Sequence, residues 1–259
     1  MKSNLVLSRK EKVGPEHFLF TFTAPSSWRV AKPGQFLHIQ CGNFPSLILR
    51  RPFSIHFLKE ERKKTQVGII FKVVGKGTKY LSQRKIGEIF DTLGPLGKPF
   101  YISHPPHVLI AGGMGIAPLY FLALALFKKR EKFIVLIGAK NKEEVLREKE
   151  FRLLGGEIFI ATEDGSKGKK GLVTDLMDDL LSTLPSSSSF YACGPISMMR
   201  EVWERCKKKK FPLQVSLEQF MGCGIGACLS CVIKTHTGYQ RVCKEGPVFK
   251  AEEIEWEKL

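Results

Sequence analysis

The stretch Val108-Leu109-Ile110-Ala111-Gly112-Gly113-Met114-Gly115-Ile116-Ala117-Pro118, continued by Leu119 to Phe127, runs without a single charge. Its glycines and proline break any continuous helix. The part after the last glycine, Ile116 to Phe127, spans roughly 18 Å at about 1.5 Å per residue, short of the roughly 30 Å a bilayer core demands. The stretch therefore reads as a buried strand, a glycine turn and a buried helix. That is the context of a dinucleotide-binding turn, although it ends in Pro118 where the usual fingerprint has glycine, and the pattern assigns no acidic residue about twenty positions on to hold a ribose, so the fingerprint is incomplete.

Downstream, strand and helix alternate. Phe133–Gly138, Glu157–Ala161, Phe190–Cys193 and Leu213–Glu218 are apolar runs. Between them, Lys142–Leu153, Leu172–Thr183 and Pro195–Lys209 have helical spacing. Alternation of this kind predicts a doubly wound parallel sheet. Upstream, Leu5-Val6-Leu7, Phe18–Phe22, Gln35–Cys41, Pro52–Phe57 and Gln66–Val74 are short β-branched or aromatic runs divided by Pro, Gly, Ser or charge clusters. They predict a small antiparallel barrel or sandwich, with Thr78–Gln83 as a short helix. The expected fold is thus multidomain, β plus α/β: a β-barrel over 1–102, a parallel α/β sheet over 103–217 and a small third module over 218–259.

The 259 residues include 41 Lys+Arg against 25 Asp+Glu, a formal net charge of +16 that favours anionic ligands or an acidic partner. With 24 Gly and 14 Pro, the chain stays well below the roughly 25–30% that marks low-complexity disorder. Met1–Lys12 has no apolar core, so no signal peptide is expected, and the seven cysteines are expected to remain reduced in a cytoplasmic protein.

Cys223, Cys228, Cys231 and Cys243 follow the pattern C-x4-C-x2-C-x11-C. The first spacings match the plant-type arrangement around a 2Fe–2S cluster, whose irons need four soft thiolates. The loop Gly224-Ile225-Gly226-Ala227 is small enough for backbone N–H groups to approach the sulfurs. A structural zinc on Cys228, Cys231, His236 and Cys243, in a basic nucleic-acid-binding module, is the competing reading. It leaves Cys223 and its glycine loop unexplained.

Arg51-Pro52-Phe53-Ser54 offers a cation for a pyrophosphate and a hydroxyl for a flavin ring, and Gly75-Lys76-Gly77-Thr78 opens a short helix where N–H groups reach a phosphate. Cys193-Gly194-Pro195 falls at the carboxyl end of a strand, where open α/β sheets bind ligands. The dispersed histidines His17, His38, His56, His104, His107 and His236 form no ligand or triad spacing and read as structural. Nothing supports hydrolysis.

In this order, the elements resemble the electron-transfer subunit of the NAD-linked (class 1B) dihydroorotate dehydrogenases, among the ferredoxin reductase-like flavoproteins. The resemblance rests on Pro33–His38, Arg50–Ile55, Gly75–Thr78, Leu93–Gly97, Ala111–Pro118, Ala161–Ser166, Tyr191–Pro195 and Cys223–Phe249. It implies that Arg51, Pro52, Phe53 and Ser54 contact FAD, with Ile70, Phe71 and Lys72 and the turn Gly75, Lys76, Gly77 and Thr78 completing the site. Gly112, Gly113, Gly115 and Pro118, with Cys193, Gly194 and Pro195, would face NAD. The four clustered cysteines would hold the 2Fe–2S cluster, and no residue takes a catalytic role of its own. Phe53 and Ser230 depart from the aliphatic residue and the glycine common at those places. The implied partner is an FMN-containing dihydroorotate dehydrogenase catalytic subunit, two of each in a heterotetramer, with no nucleic acid and no membrane. A related subunit linking NAD(P)H to ferredoxin, sulfide or hydrogenase partners is the alternative.

Overall fold

The computed structural model describes residues 1–42, 47–61 and 64–259. Its first half holds β1 (Lys2–Gly14), β2 (His17–Ala24), β3 (Phe36–Ile39), β4 (Arg51–Ser54), β5 (Phe57–Glu61), β6 (Lys64–Lys72), helix α1 (Lys76–Ser82) and β7 (Ile89–Leu96). The strands form one sheet in the order β4-β3-β7-β1-β2-β6-β5, every pairing antiparallel. Its edge strands β4 and β5 are joined by only Ile55 and His56. The Ile55 N–H donates to the Gln35 carbonyl (3.0 Å) and that of His56 to the Gly68 carbonyl (2.8 Å), which curls the sheet back on itself. Period-2 alternation sends Leu5, Leu7, Phe20, Phe22, Leu37, Ile39, Ile69 and Phe71 into the barrel core.

The second half runs β8 (His107–Gly112), α2 (Ile116–Lys128), β9 (Phe133–Ala139), α3 (Glu148–Leu153), β10 (Glu157–Thr162), β11 (Lys169–Lys170), α4 (Val173–Leu181), β12 (Ser189–Cys193), α5 (Ile196–Lys209) and β13 (Leu213–Ser216). The sheet order is β11-β10-β9-β8-β12-β13, with one further strand from the last module beyond β13. Helices α2 and α3 contribute to one core, and α4 and α5 to the other, so the sheet is doubly wound as expected. Its direction reverses between β8 and β12, which makes the carboxyl ends of these two strands the place for a ligand.

The last module contains the hairpin β14 (Val232–Thr235) and β15 (Gly238–Arg241), then β16 (Val248–Lys250). It does not stand alone. Strand β16 pairs antiparallel with β13, extending the parallel sheet past the strand expected to be its last. On the other side, the Lys98 N–H donates to the Gly246 carbonyl at 2.5 Å. Strand β3 faces both ways: Leu37 and Ile39 enter the barrel core, while Phe36 packs in the cluster containing Cys231, Ile233, Val242 and Cys243.

Three details differ from the sequence expectations. The helix expected over Lys142–Leu153 divides into a 3-10 turn at Lys142–Glu144 and α3, because Arg147 adopts a left-handed conformation (φ 64°). The expected run Pro52–Phe57 is two strands meeting at the barrel seam. Strand β7 is hidden in the sequence by Asp91, Gly94 and Pro95, residues that ordinarily depress strand propensity.

At the switch point the β8–α2 turn and the β12–α5 turn touch. A Cβ on Gly115 would overlap the main chain of Cys193 and Gly194. Gly115→Ala should therefore force the two turns apart and lower stability by about 1–3 kcal/mol, read as a lower urea midpoint at unchanged slope. An unaltered midpoint would show that the turns are not pressed together.

Candidate functional site

Two cavities flank the junction of the barrel and the α/β sheet. The first, of about 470 Å³, is lined by Arg51, Pro52, Phe53, Ser54, Ile70, Phe71, Lys72, Gly75, Lys76, Gly77 and Thr78. All the residues assigned to a flavin from the sequence thus come together there, although they derive from β4, β6 and the start of α1. Sheet order explains it: β3 carries β4, β6 lies beside the far edge strand β5, and the barrel seam brings these distant strands face to face. Arg51 is held at the rim by hydrogen bonds from Nη1 to the Leu49 carbonyl (2.6 Å) and the Arg50 carbonyl (3.2 Å). The Thr78 hydroxyl accepts from the N–H groups of Val74 (2.9 Å) and Gly75 (3.2 Å), which shapes the turn into α1. Met114, Ala117 and Glu218 close the same cavity from the other domains. Glu218, which the sequence did not mark as a site residue, is exposed at the mouth of this cavity.

The second cavity, of about 320 Å³, contains Gly112, Gly113 and Pro195. Gly115, Cys193 and Gly194 do not line it. They form the packed floor where the two turns meet, and burial pushes the Cys193 thiol far up, so it is an inert small hydrophobe there. Pro118 is buried in the first turn of α2. Lining that sequence reasoning missed includes Lys140, Glu144, Glu163, Thr174, Ser197 and Glu201, contributed by four further segments. The two cavities are joined through their walls: Lys72 of the first and Glu144 of the second form an ion pair at 2.5 Å. The Lys72 ammonium holds the Glu144 carboxyl below its usual range.

His56 fixes the angle between the domains. Its Nδ1–H donates to the Ala117 carbonyl (2.9 Å), and its ring stacks on Tyr120 at 4.6 Å and 25°. Burial lowers its pKa to about 3, so the ring is neutral at neutral pH and Nδ1 is free to carry the proton that the carbonyl requires.

The four clustered cysteines lie in one loop and the hairpin beside it. Among the described residues no three His, Cys, Asp or Glu side chains converge as a single ion requires. The sulfurs instead fall into two pairs. Cys223 Sγ accepts from the N–H groups of Ile225 (3.4 Å), Ala227 (3.3 Å) and Cys228 (3.4 Å), while the Cys223 N–H points back to Cys228 Sγ (3.4 Å). In the second pair the Cys243 N–H donates to Cys231 Sγ at 3.5 Å. Two thiolate pairs side by side fit a two-iron cluster better than one tetrahedral zinc. N–H groups aimed at sulfur stabilise thiolate and the electron-rich cluster it would hold.

The pairs differ in environment. Cys228 is exposed, and the Ser230 hydroxyl at 3.2 Å, with the Ser230 and Cys223 main chain, lowers its pKa to about 6. Cys243 is buried, and burial with the neighbouring Cys231 pushes it up to about 12. Ser230, a departure from the family pattern, also accepts the Gly222 N–H at 2.9 Å and so ties the loop ends together. Arg241 clamps the loop from below, donating to the Gly226 carbonyl (2.8 Å) while paired with Glu245, whose carboxyl it lowers to about 2. His236 is exposed and lies at the hairpin tip, so the zinc reading loses its nitrogen ligand.

Comparison with known proteins finds three family models along the chain. Residues 4–101 match the oxidoreductase FAD-binding domain, 109–204 the oxidoreductase NAD-binding domain, and 218–255 the iron-sulfur cluster binding domain of dihydroorotate dehydrogenase B. The dihydroorotate dehydrogenase B (NAD(+)) electron transfer subunit of Desulforamulus reducens is 41% identical over 95% of each chain. Its counterpart from Caldanaerobacter subterraneus subsp. tengcongensis is 40% identical over 98% of each. Among solved structures, a chain of the NADH-dependent reduced ferredoxin-NADP oxidoreductase superposes with a TM-score of 0.87 at 31% identity, covering 98% of this chain and 90% of that one. A ferredoxin reductase of carbazole 1,9a-dioxygenase shares the fold at a TM-score of 0.68 and 19% identity. The chain carries FAD-binding, NAD-binding and iron–sulfur-binding domains, and it belongs to the family of dihydroorotate dehydrogenase B (NAD(+)) electron transfer subunits.

Proposed function

We propose that the chain passes electrons from the FMN of a dihydroorotate dehydrogenase catalytic subunit to NAD+ in pyrimidine synthesis, through its own 2Fe–2S cluster and FAD. Its modules are 1–102, 103–217 and 218–259. One observation carries the reading: the flavin cavity touches the nucleotide cavity on one side, through Lys72 and Glu144, and is closed on another by Glu218, at the root of the cysteine loop. When bound, FAD exchanges electrons singly or in pairs and so joins a one-electron cluster to two-electron hydride chemistry.

The residues have separable tasks. Arg51 supplies positive charge for the pyrophosphate, and the Gly75–Thr78 turn supplies N–H groups to it. Ser54 offers a hydroxyl to the flavin ring. Gly112 and Gly113 admit the nicotinamide nucleotide to the switch point, with Pro195 opposite. The cysteine loop presents Cys228 outward within a rim of exposed Phe220, Ile225 and Leu229, an apolar surface that suits a partner subunit docking over the cluster. A catalytic partner containing FMN fits this surface, two copies of each chain complete the proposed complex, and a cytoplasmic location fits the unpaired cysteines; among the described residues no helix is long and apolar enough to cross a membrane.

A second reading is favoured by the 31% identity to the ferredoxin-NADP oxidoreductase chain: a subunit of the same build serving a different redox partner. Copurification separates them. An FMN-containing, dihydroorotate-oxidising subunit bound to this chain supports the first reading, and a complex without such activity overturns it.

Three outcomes follow. Cys228→Ser should abolish electron delivery to the partner while NADH still bleaches the flavin at a near-normal rate in anaerobic stopped flow. Equal loss of both would contradict the proposed order. Arg51→Ala should weaken FAD binding by about 1.5–3 kcal/mol, the usual value of a hydrogen bond to a charged group, measured by flavin fluorescence on titration. Finally, Glu144 is paired with Lys72 and Glu201 with Arg205, which leaves Glu163 as the carboxylate of the nucleotide cavity without an ion pair among the described residues, and a 2′-phosphate beside it meets repulsion. NADH should reduce the flavin at least about ten-fold more efficiently than NADPH, and Glu163→Gln should narrow the gap.

A further inference from the structure

His38 lies on the outer face of β3, with Phe36, and is completely buried. Its place is peculiar. A Cβ on Gly224 would overlap the imidazole, with Nδ1 the nearest atom. Gly224 also has φ +71°, so this residue both turns the cysteine loop and leaves room for the ring. Main-chain groups of Arg50 and of Cys223 lie close enough to act on the imidazole. Arg50 precedes the Arg51–Ser54 strand, and Cys223 begins the cysteine pattern. Yet neither ring nitrogen completes a hydrogen bond among the described residues. A fully buried imidazole with both nitrogens unsatisfied costs stability unless a specific arrangement repays it. An apolar residue of similar size would fill the same volume without that cost.

We propose that His38 is a positioning residue, which sets the cysteine loop in register with the flavin-binding strand by filling the space opposite Gly224 and offering a ring nitrogen to the nearby main chain of Cys223. This rests on the reading of Cys223 as a cluster ligand. The ring thus lies against Gly224 of the cysteine loop while its strand carries the flavin motif. Strand β3 pairs His38 with Pro52 of β4, so the ring is in register with the flavin motif on one side and wedged under the loop on the other. An N–H on this ring, drawn toward the Cys223 main chain, holds the loop in the conformation that aims the Ile225, Ala227 and Cys228 amides at Cys223 Sγ.

The test is a double-mutant cycle on the full chain loaded with FAD and iron. His38→Ala should keep one FAD per chain and NADH-driven flavin reduction within about two-fold, but speed iron loss to a chelator by about ten-fold or more and shift the electron paramagnetic resonance of the reduced cluster. Gly224→Ala should also speed iron loss, through backbone strain and overlap with the ring. Combined, the two should fall well short of the product of their separate effects, because removing the ring removes the overlap. His38→Gln, which retains an N–H, should recover much of the native spectrum where His38→Leu does not. That comparison stands even if the alanine variant loses its flavin. Effects that multiply in the cycle, or a His38→Leu chain with native spectrum and native iron retention, overturn the proposal. A wild-type chain that takes up flavin but no iron overturns it together with the ligand assignment, whereas iron uptake without a docked partner leaves the ligand assignment standing and only the partner in question.

Discussion

Everything in this molecule depends on the last forty residues leaning on two surfaces at once. A module of that size buries too little apolar area to hold itself together. Here β16 completes its backbone hydrogen bonds on β13, while the Lys98–Gly246 contact and Phe36 press the other flank to the barrel. One apolar cluster consequently runs from Phe36 through Cys231, Val242 and Cys243 to the helices α4 and α5. The cysteine module is the mortar between the other two domains, and its stability is borrowed from both.

That packing sets the geometry of the cavities. The barrel contributes the flavin-side walls, the α/β sheet contributes its switch point, and His56 and the Lys72–Glu144 pair keep the two from rotating apart. Part-buried ion pairs contribute little net stability, since desolvation offsets much of the attraction. Their value here is orientation. His56 is different, being neutral and fully buried, so its hydrogen bond to Ala117 and its stacking on Tyr120 survive across the physiological pH range.

Much of this was legible in the sequence because it was written in local patterns. The Val108–Phe127 stretch reports strand, turn and helix within one window, and C-x4-C-x2-C reports its chemistry by spacing alone. What stayed hidden was non-local. Strand β7 carries Asp91, Gly94 and Pro95, and only its neighbours β1 and β3 make it a strand. Glu218, Glu163 and Glu201 reach their cavities through sheet order, which no window of sequence reveals. His38 looked like one of six scattered histidines, since its meaning resides in Gly224, far along the chain. Ser230 looked like a departure from a pattern, and is the residue that ties the loop ends.

The connection into the cysteine loop shows why a fused module serves better than a separate carrier. Strand β13 ends at Ser216, and Leu217 is already fixed by its N–H to the Pro247 carbonyl at 2.9 Å. Only a few residues then remain before Cys223, too short a span for the loop to swing. A flexible tether would raise local concentration but leave distance fluctuating, whereas packing fixes distance and orientation together. Electron transfer depends steeply on both, so in the proposed function a rigid link to the barrel and an exposed opposite edge at Cys228 would divide the work: the inner contact is permanent, and only the outer one would have to be made by a partner.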